Sequence, residues 1–239
     1  KLISILIILM FIFSLIIIFF TYFLFIFQDT DFNLEYAAKD AKDFVGLMKK
    51  NSESYDSVHL VQLIDSQATR SNIVALKQKL QQTDIDDQVV VFIATHGLLN
   101  KHLDYYLATP DINFYAPSEN GLLYEDLENL LDGIPARNKL LLIDACHSGE
   151  IDKESAQLVA AEMITDAPPE AENVSARGFK KVAGSGLGLE NSFKLMRELF
   201  ADLRRGSGAT IISSAGGKEY ALESAKWSNG VFTYSILEG

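Results

Sequence analysis

Hydrophobic residues run almost without interruption through residues 2–27, which include no charged side chain. These 26 residues exceed the roughly 20 that a helix needs to cross a bilayer. The stretch therefore favours a transmembrane helix, and because no small-residue cleavage site follows it, a removable signal peptide is the weaker interpretation. Two alternatives stay open: a buried first strand of the following domain at residues 22–27, and an artefact of a broken reading frame.

After residue 28 the apolar positions alternate between helical spacing and strand-like runs. Strands are predicted at residues 58–64, 89–94, 140–143 and 210–213, and the second and third of these runs are apolar throughout, as in strands buried on both faces. Apolar residues at helical spacing predict four amphipathic helices. The apolar positions of the first are Ala37, Ala41, Phe44, Val45 and Met48, and those of the second are Ile73, Leu76 and Leu80. The third has Tyr124, Leu127, Leu130 and Leu131 and ends before Gly133 and Pro135, and the fourth has Phe193, Met196, Phe200 and Leu203 and ends at Gly206. Alternation of strand and helix predicts an α/β domain with a mostly parallel sheet and helices on both faces.

Residues 150–190 interrupt this rhythm with a proline pair, an acidic stretch and four scattered glycines. A segment of this length without period is typical of a functional loop or a disordered linker. We therefore divide the chain into a hydrophobic segment, residues 1–27, and one domain, residues 28–239, with the irregular loop inside it. Because the chain starts at a lysine and stops at Gly239 without a tail-like composition, we expect it to be truncated at both ends.

Composition narrows the classes of function. The 239 residues are enough for one domain with a buried core, and their formal net charge is −11. Since no basic cluster occurs, neither nucleic acid nor an anionic membrane surface is an expected partner. The single cysteine excludes an internal disulfide and any site with several thiolates, and the four histidines include no H-x-x-x-H pair, so we expect no metal site. Three interpretations of that cysteine stay open: an unreactive residue packed in the core, a damaging mutation, or a reactive thiol.

Two of the buried strands are followed by residues that carry chemistry. Residues 89–94 continue into Thr95-His96-Gly97, and residues 140–143 continue into Asp144-Ala-Cys146-His147-Ser-Gly. In open α/β sheets functional groups gather beyond the carboxyl ends of the strands, and parallel neighbours lie about 5 Å apart. If these strands are neighbours, His96 can take the proton of Cys146 and make it a nucleophile. The backbone N–H groups of Gly97 and Cys146 would then form an oxyanion hole.

These motifs resemble those of the caspase-like and metacaspase peptidases of bacteria. The resemblance rests on THG and DACHSGE, on FNLEYAAKDAKDF before them, and on SSAGGKEYALES and NGVFTYSILEG after them, so it runs from about Phe32 to the end of the chain. A histidine about 50 residues upstream of the cysteine is a known signature of this family. The resemblance implies a three-layer α/β/α caspase-like (caspase-hemoglobinase) fold, with a buried first strand near residues 22–27. It also implies a cysteine endopeptidase that acts on polypeptides through a Cys146–His96 dyad and a thioester intermediate.

The resemblance also bears on specificity. Animal caspases bind an aspartate side chain with an arginine, whereas metacaspases bind Arg or Lys with acidic groups. Asp144 and Asp40 match the two acidic positions of metacaspases, and no arginine occurs between residues 32 and 66. We therefore expect cleavage after Arg or Lys. Two alternatives stay open: Asp40 as an exposed helix charge, and Asp144 as a residue that orients the catalytic loop. Metacaspases commonly carry Ser where this chain has Ala94, which predicts a less polar pocket.

Several further expectations follow from the same resemblance. Members of the family are often cut between the large and small parts of the domain, and Arg177, Lys180 and Lys181 are candidate processing sites here; simple tolerance of a surface insertion is the alternative. Calcium activates some metacaspases, but the chain has no Asp-x-Asp-x-Asp loop, so we assign no ion or cofactor. The strand pattern, if it continues, directs His147 away from Cys146, so independently of the resemblance we expect His147 to be structural or next to the substrate. We expect His59 and His102 to be solvated or packing residues.

Two rival functions remain: a catalytically silent caspase-like interaction module, and a peptidase that cuts after acidic residues. The expected location is the membrane if the hydrophobic segment is genuine, and the cytoplasm otherwise. The sequence predicts no particular oligomeric state.

Overall fold

The computed structural model of the chain describes residues 16–19, 34–100, 102, 104–148, 174–176, 204–214 and 222–239; for residues 16–19, 99, 146–148, 174–176 and 222 it describes the backbone. The strands are β1 (Ile16–Phe19), β2 (Val58–Val61), β3 (Gln88–Leu99), β4 (Tyr105–Leu107), β5 (Leu122–Leu123), β6 (Asn138–Ser148), β7 (Val174–Ala176), β8 (Thr210–Ser213), β9 (Leu222–Ser224) and β10 (Asn229–Gly230). The helices are α1 (Ala37–Lys50), α2 (Arg70–Ala75), α3 (Lys77–Leu80), α4 (Tyr124–Leu131) and α5 (Val231–Glu238).

A five-stranded sheet with the order β5-β4-β3-β6-β8 forms the centre of the molecule. The three strands β3, β6 and β8 are parallel, whereas β4 and β5 add an antiparallel edge. The strand β1 pairs in parallel with β2 and also lies alongside β3, and β7, β9 and β10 form a small antiparallel sheet. The predicted parallel core is confirmed; the antiparallel edge was not predicted, because its strands are only three and two residues long.

The sheet separates two hydrophobic clusters, as expected for three layers. Alternate residues of a strand point to opposite faces. In β3, Val91 and Ile93 pack on one face with residues of α2, α3 and α4, whereas Phe92 and Ala94 pack on the other face with α1. The helix α5 adds partly buried residues, including Phe232, to the α1 side. The sheet is therefore covered on both faces, which is why its central runs are apolar throughout.

The helices begin and end close to where the pattern predicts. The first and third predicted helices are confirmed as α1 and α4, and Gly133, with φ +63°, follows the end of α4. The second is divided into α2 and α3 at Leu76, where the Leu76 N–H bonds to the Ile73 carbonyl in a tight i→i+3 turn. The fourth lies outside the described residues except for residues 204–207, which are helical.

The hydrophobic segment at the start of the chain contributes a strand. The expected first strand, residues 22–27, lies outside the described residues; the strand that the structure describes there is β1, Ile16–Phe19. Among the described helices, none combines the length and the apolar character that crossing a membrane requires. The predicted strand at residues 58–64 is shorter than expected and ends at Val61.

Candidate active site

The register between β3 and β6 places His96 directly opposite Cys146. The pairing runs without a break from Gln88 opposite Asn138 to Leu98 opposite Ser148. Both apolar runs therefore continue as strands through their polar endings. Residues that face each other on paired strands share one face of the sheet and lie about 5 Å apart. By alternation this is the face of Phe92 and Ala94, which α1 covers.

His96 is held by its neighbours on β3 and in the loop that follows β4. Its side chain is buried, and its backbone carbonyl accepts a hydrogen bond from the Ala108 N–H at 2.9 Å. The hydroxyl of Thr95, also buried, donates to the Ala108 carbonyl at 3.0 Å. The ring of Phe114 meets the imidazole edge to face, with the ring centroids 6.4 Å apart. The backbone and the ring of His96 therefore both have defined neighbours.

The two amides expected to form an oxyanion hole point into the ladder between β3 and β6. Along a strand, successive residues direct their N–H and C=O groups to opposite sides. Because the His96 carbonyl bonds to β4, Gly97 directs its backbone groups toward β6. Because the Ile143 carbonyl accepts from the Ser214 N–H, on the β8 side, Cys146 directs its backbone groups toward β3. Both N–H groups thus lie between the two strands.

Asp144 lies two residues before Cys146, on the same face of β6. It is fully buried and stands opposite Ala94 in the register. In this chain the methyl group of Ala94 therefore occupies the strand position opposite Asp144. Asp144 and Ala94 both face the layer between the sheet and α1.

Asp40 is also fully buried, on the side of α1 that faces the sheet, so its alternative as an exposed helix charge is wrong. Its carboxylate accepts hydrogen bonds from the Asn229 side chain at 2.9 Å and from the Gly230 backbone N–H at 2.9 and 3.2 Å. The same Asn229 amide donates to Asp43 at 2.9 Å, and its carbonyl accepts from Lys39 at 3.0 Å. Asp40 and Asp144 are thus both buried, on α1 and on β6, two elements that contribute residues to the same hydrophobic cluster.

Sequence reasoning missed two neighbours of the site. Phe114 stands in an irregular loop with no periodic pattern, so nothing marked it as a neighbour of His96. Asn229 was visible only as part of the motif NGVFTYSILEG, whose role the sequence alone does not give.

The other candidate residues fall into three groups. His59 and His102 are exposed, in agreement with solvated residues. The backbone of His147 stands opposite Gly97 in the ladder. Arg177, Lys180 and Lys181 lie outside the described residues. Within the part of the chain that the structure describes, no three His, Cys, Asp or Glu side chains are grouped so that they could hold a metal ion.

A buried histidine and a cysteine at the carboxyl ends of adjacent parallel strands, under a three-layer α/β/α fold, define a caspase-like architecture. The family model described as "Caspase domain" (peptidase family C14) matches residues 16–239. The chain belongs to this family and is a cysteine-type peptidase domain, which implies polypeptide substrates.

No curated protein matches the chain. Among solved structures, the crystal structure of protein GSU0716 from Geobacter sulfurreducens is similar, with a TM-score of 0.58 and 16% sequence identity, over 93% of this chain and 81% of that one. At this identity the likeness supports the fold alone.

Proposed function

We propose that this protein is an endopeptidase that hydrolyses peptide bonds after Arg or Lys, with Cys146 as nucleophile and His96 as its base. The observation that carries the proposal is the register that places His96 opposite Cys146 on neighbouring strands. A thiol is mostly protonated at neutral pH, so it needs a base within reach, and an imidazole on the adjacent strand is such a base.

The reaction proceeds in two halves. His96 takes the thiol proton, and the Cys146 sulfur attacks the carbonyl carbon of the scissile bond to give a tetrahedral oxyanion. The intermediate collapses as His96 returns the proton to the leaving amine, and the acyl group remains as a thioester. Water, deprotonated by His96, then attacks the thioester, and the product acid and the free thiol are released.

The oxyanion would be bound by the N–H groups of Gly97 and Cys146. These groups face the β3–β6 ladder, so this role requires the last residue pairs of the ladder to separate when a substrate carbonyl enters. An N–H that is committed to a neighbouring carbonyl cannot stabilise a developing negative charge at full strength. Opening of the ladder end is therefore part of the proposed mechanism.

Preference for Arg or Lys follows from Asp40 and Asp144. Both residues are fully buried, on α1 and on β6, two elements that contribute residues to the same hydrophobic cluster. Asp40 accepts hydrogen bonds from the Asn229 side-chain amide and from the Gly230 backbone N–H, and neither of these two donors carries a charge. A basic side chain entering this region would gain charge-assisted hydrogen bonds that a neutral side chain cannot form.

Replacing either member of the dyad tests the proposal. Cys146→Ala and His96→Ala should each abolish turnover while the fold is retained, because the two groups act as a unit. Circular dichroism serves as the control for folding. Near-normal cleavage by either variant would end the assignment.

Two comparisons separate the rivals. If the protein is a silent interaction module, iodoacetamide should alkylate Cys146 no faster than it alkylates an unactivated cysteine in a peptide. A peptidase with the opposite specificity would prefer the Asp-ended member of a matched pair of fluorogenic peptides that end in Arg and in Asp.

A further inference from the structure

The ring of Phe114 is a direct neighbour of the proposed catalytic base. The planes of the two rings are inclined by 76°, an edge-to-face arrangement, and the residues His96 and Phe114 are only 4% and 5% exposed. Contacts of this kind favour particular ring orientations because the positive edge of one ring meets the negative face of the other. The χ2 torsion of a histidine is otherwise broad. A packed neighbour such as Phe114 therefore narrows the range of this torsion.

Phe114 is carried by the loop between β4 and β5, residues 108–121, which is closed by its own hydrogen bonds. The Thr109 hydroxyl donates to the Asn120 carbonyl at 2.9 Å, and the Asn120 amide donates to the Asp111 carbonyl at 3.1 Å. The Asn113 side-chain amide donates a hydrogen bond to the Glu119 carboxylate at 3.0 Å. A β-carbon at Gly121 would lie 2.3 Å from the Pro117 carbonyl oxygen, so the loop closes too tightly for any other residue there. Such a loop gives Phe114 a fixed position.

The first residue of the loop is bonded to the strand that carries His96. Ala108 donates its N–H to the His96 carbonyl and accepts from the Thr95 hydroxyl. The loop and the end of β3 are therefore one hydrogen-bonded unit, and the position of Phe114 is fixed relative to the imidazole.

We propose that Phe114 is a positioning residue that holds the His96 imidazole in the orientation that receives the proton of Cys146; this inference rests on the proposed role of His96. Phe114 takes no part in the chemistry. It restricts rotation of the ring and covers one side of it, so that the imidazole is not turned away from Cys146 by bonding to water.

Alkylation of Cys146 by iodoacetamide tests the inference, because it is the single cysteine of the chain and needs no peptide substrate. The reaction rate is measured on the full chain at about pH 6, where the thiolate depends on His96, and at about pH 9.5, above the usual thiol pKa of about 8.5. Phe114→Leu should lower the rate about 2- to 10-fold at the lower pH and leave it unchanged at the higher pH. Phe114→Tyr keeps the ring and should retain at least about half of the parent rate at both.

Tyr124→Leu is the matched control. Tyr124 is 4% exposed and meets Tyr105 edge to face, with ring centroids 6.0 Å apart and planes inclined by 68°, but it lies on α4. Its removal should cost similar stability and leave both alkylation rates unchanged. Where Phe114→Leu gives no folded protein, Phe114→Met, which keeps most of the volume, replaces it and is read in the same way.

His96→Ala separates the two levels of the argument. If it alkylates like the parent at about pH 6, the proposed dyad is wrong. If it is slow while Phe114→Leu matches the parent, the dyad stands and the positioning role of Phe114 is overturned. A Phe114→Leu variant that is slow equally at both pH values also overturns it, because that result reports general damage to the site.

Discussion

Gly230 donates its backbone N–H to both carboxylate oxygens of Asp40, across 190 residues of sequence. Gly230 is the residue that precedes the first turn of α5, so this buried contact fixes the start of that helix to α1. Asp40 therefore has a structural task in addition to its proposed part in specificity.

Asp40→Asn should destabilise the protein. The new amide can keep only one acceptor oxygen, and its NH₂ group would face the N–H donors of Gly230 or Asn229. Loss of a buried charge-assisted hydrogen bond costs about 1.5–3 kcal/mol, which for a chain of this size lowers Tm by about 3–12 °C. Asp43→Asn is the control. Asp43 accepts a hydrogen bond from the same Asn229 amide, but its side chain is 35% exposed, so its replacement should cost less stability. An equal loss of Tm in both variants would contradict the buried role of Asp40.

Asp144→Asn is the cleaner probe of specificity because it nearly conserves shape. If Asp144 pairs with the basic side chain of the substrate, kcat/KM on an Arg-ended peptide should fall roughly 30-fold or more, since truncating one partner of a buried pair costs about 2–5 kcal/mol. Alkylation of Cys146 should not change. Alkylation that slows in step with cleavage would instead identify Asp144 as a residue that orients the catalytic loop. Cleavage at the parent rate by both Asp144→Asn and Asp40→Asn would rule out the acidic pocket.

Processing within residues 150–190 predicts a change on a denaturing gel. If Arg177, Lys180 or Lys181 is a maturation site, active protein should run as two fragments and Cys146→Ala as one. The fragments should nevertheless elute together in gel filtration, because Asp40 binds Asn229 and Gly230 and because β6 pairs with β8. Full activity in a chain that stays single would contradict the processing.

We expect Asp87 to make the stability of the protein depend on pH. Burial raises the pKa of this carboxyl above its ordinary 3.8, against the opposing hydrogen bond from the Asp84 N–H. The folded state then holds the proton more tightly than the unfolded state, so stability falls as the pH rises from about 3.8 through the raised pKa. Asp87→Asn keeps an acceptor for Asp84 and removes the titration. The free energy of unfolding of this variant, measured in urea, should therefore increase relative to that of the parent between about pH 3.5 and pH 7. A gain that does not vary with pH would exclude Asp87 as the titrating group.

The sequence by itself determined the layered architecture and the two strands that carry the candidate dyad. Continuous apolar runs such as residues 89–94 indicate a strand that is buried on both faces. Apolar residues at helical spacing, such as those around Phe44 or Leu127, indicate a helix with one apolar side. The motifs after those strands, with their His-to-Cys spacing, then named His96 and Cys146 as candidates. Patterns of this kind can be predicted from the sequence because they depend only on residues that are close together along the chain.

Only the tertiary structure decided which residues from distant parts of the chain meet. The pairing of His96 with Cys146 is a matter of strand register, and register is set by the packing of whole faces. Asp40 was expected to be either a pocket residue or an exposed charge. Its burial against Gly230 depends on how α1 and α5 pack on one face of the sheet, and no local pattern records that. Phe114 lies next to His96 because a closed loop brings it there, and contacts made by irregular backbone have no period from which a sequence could predict them.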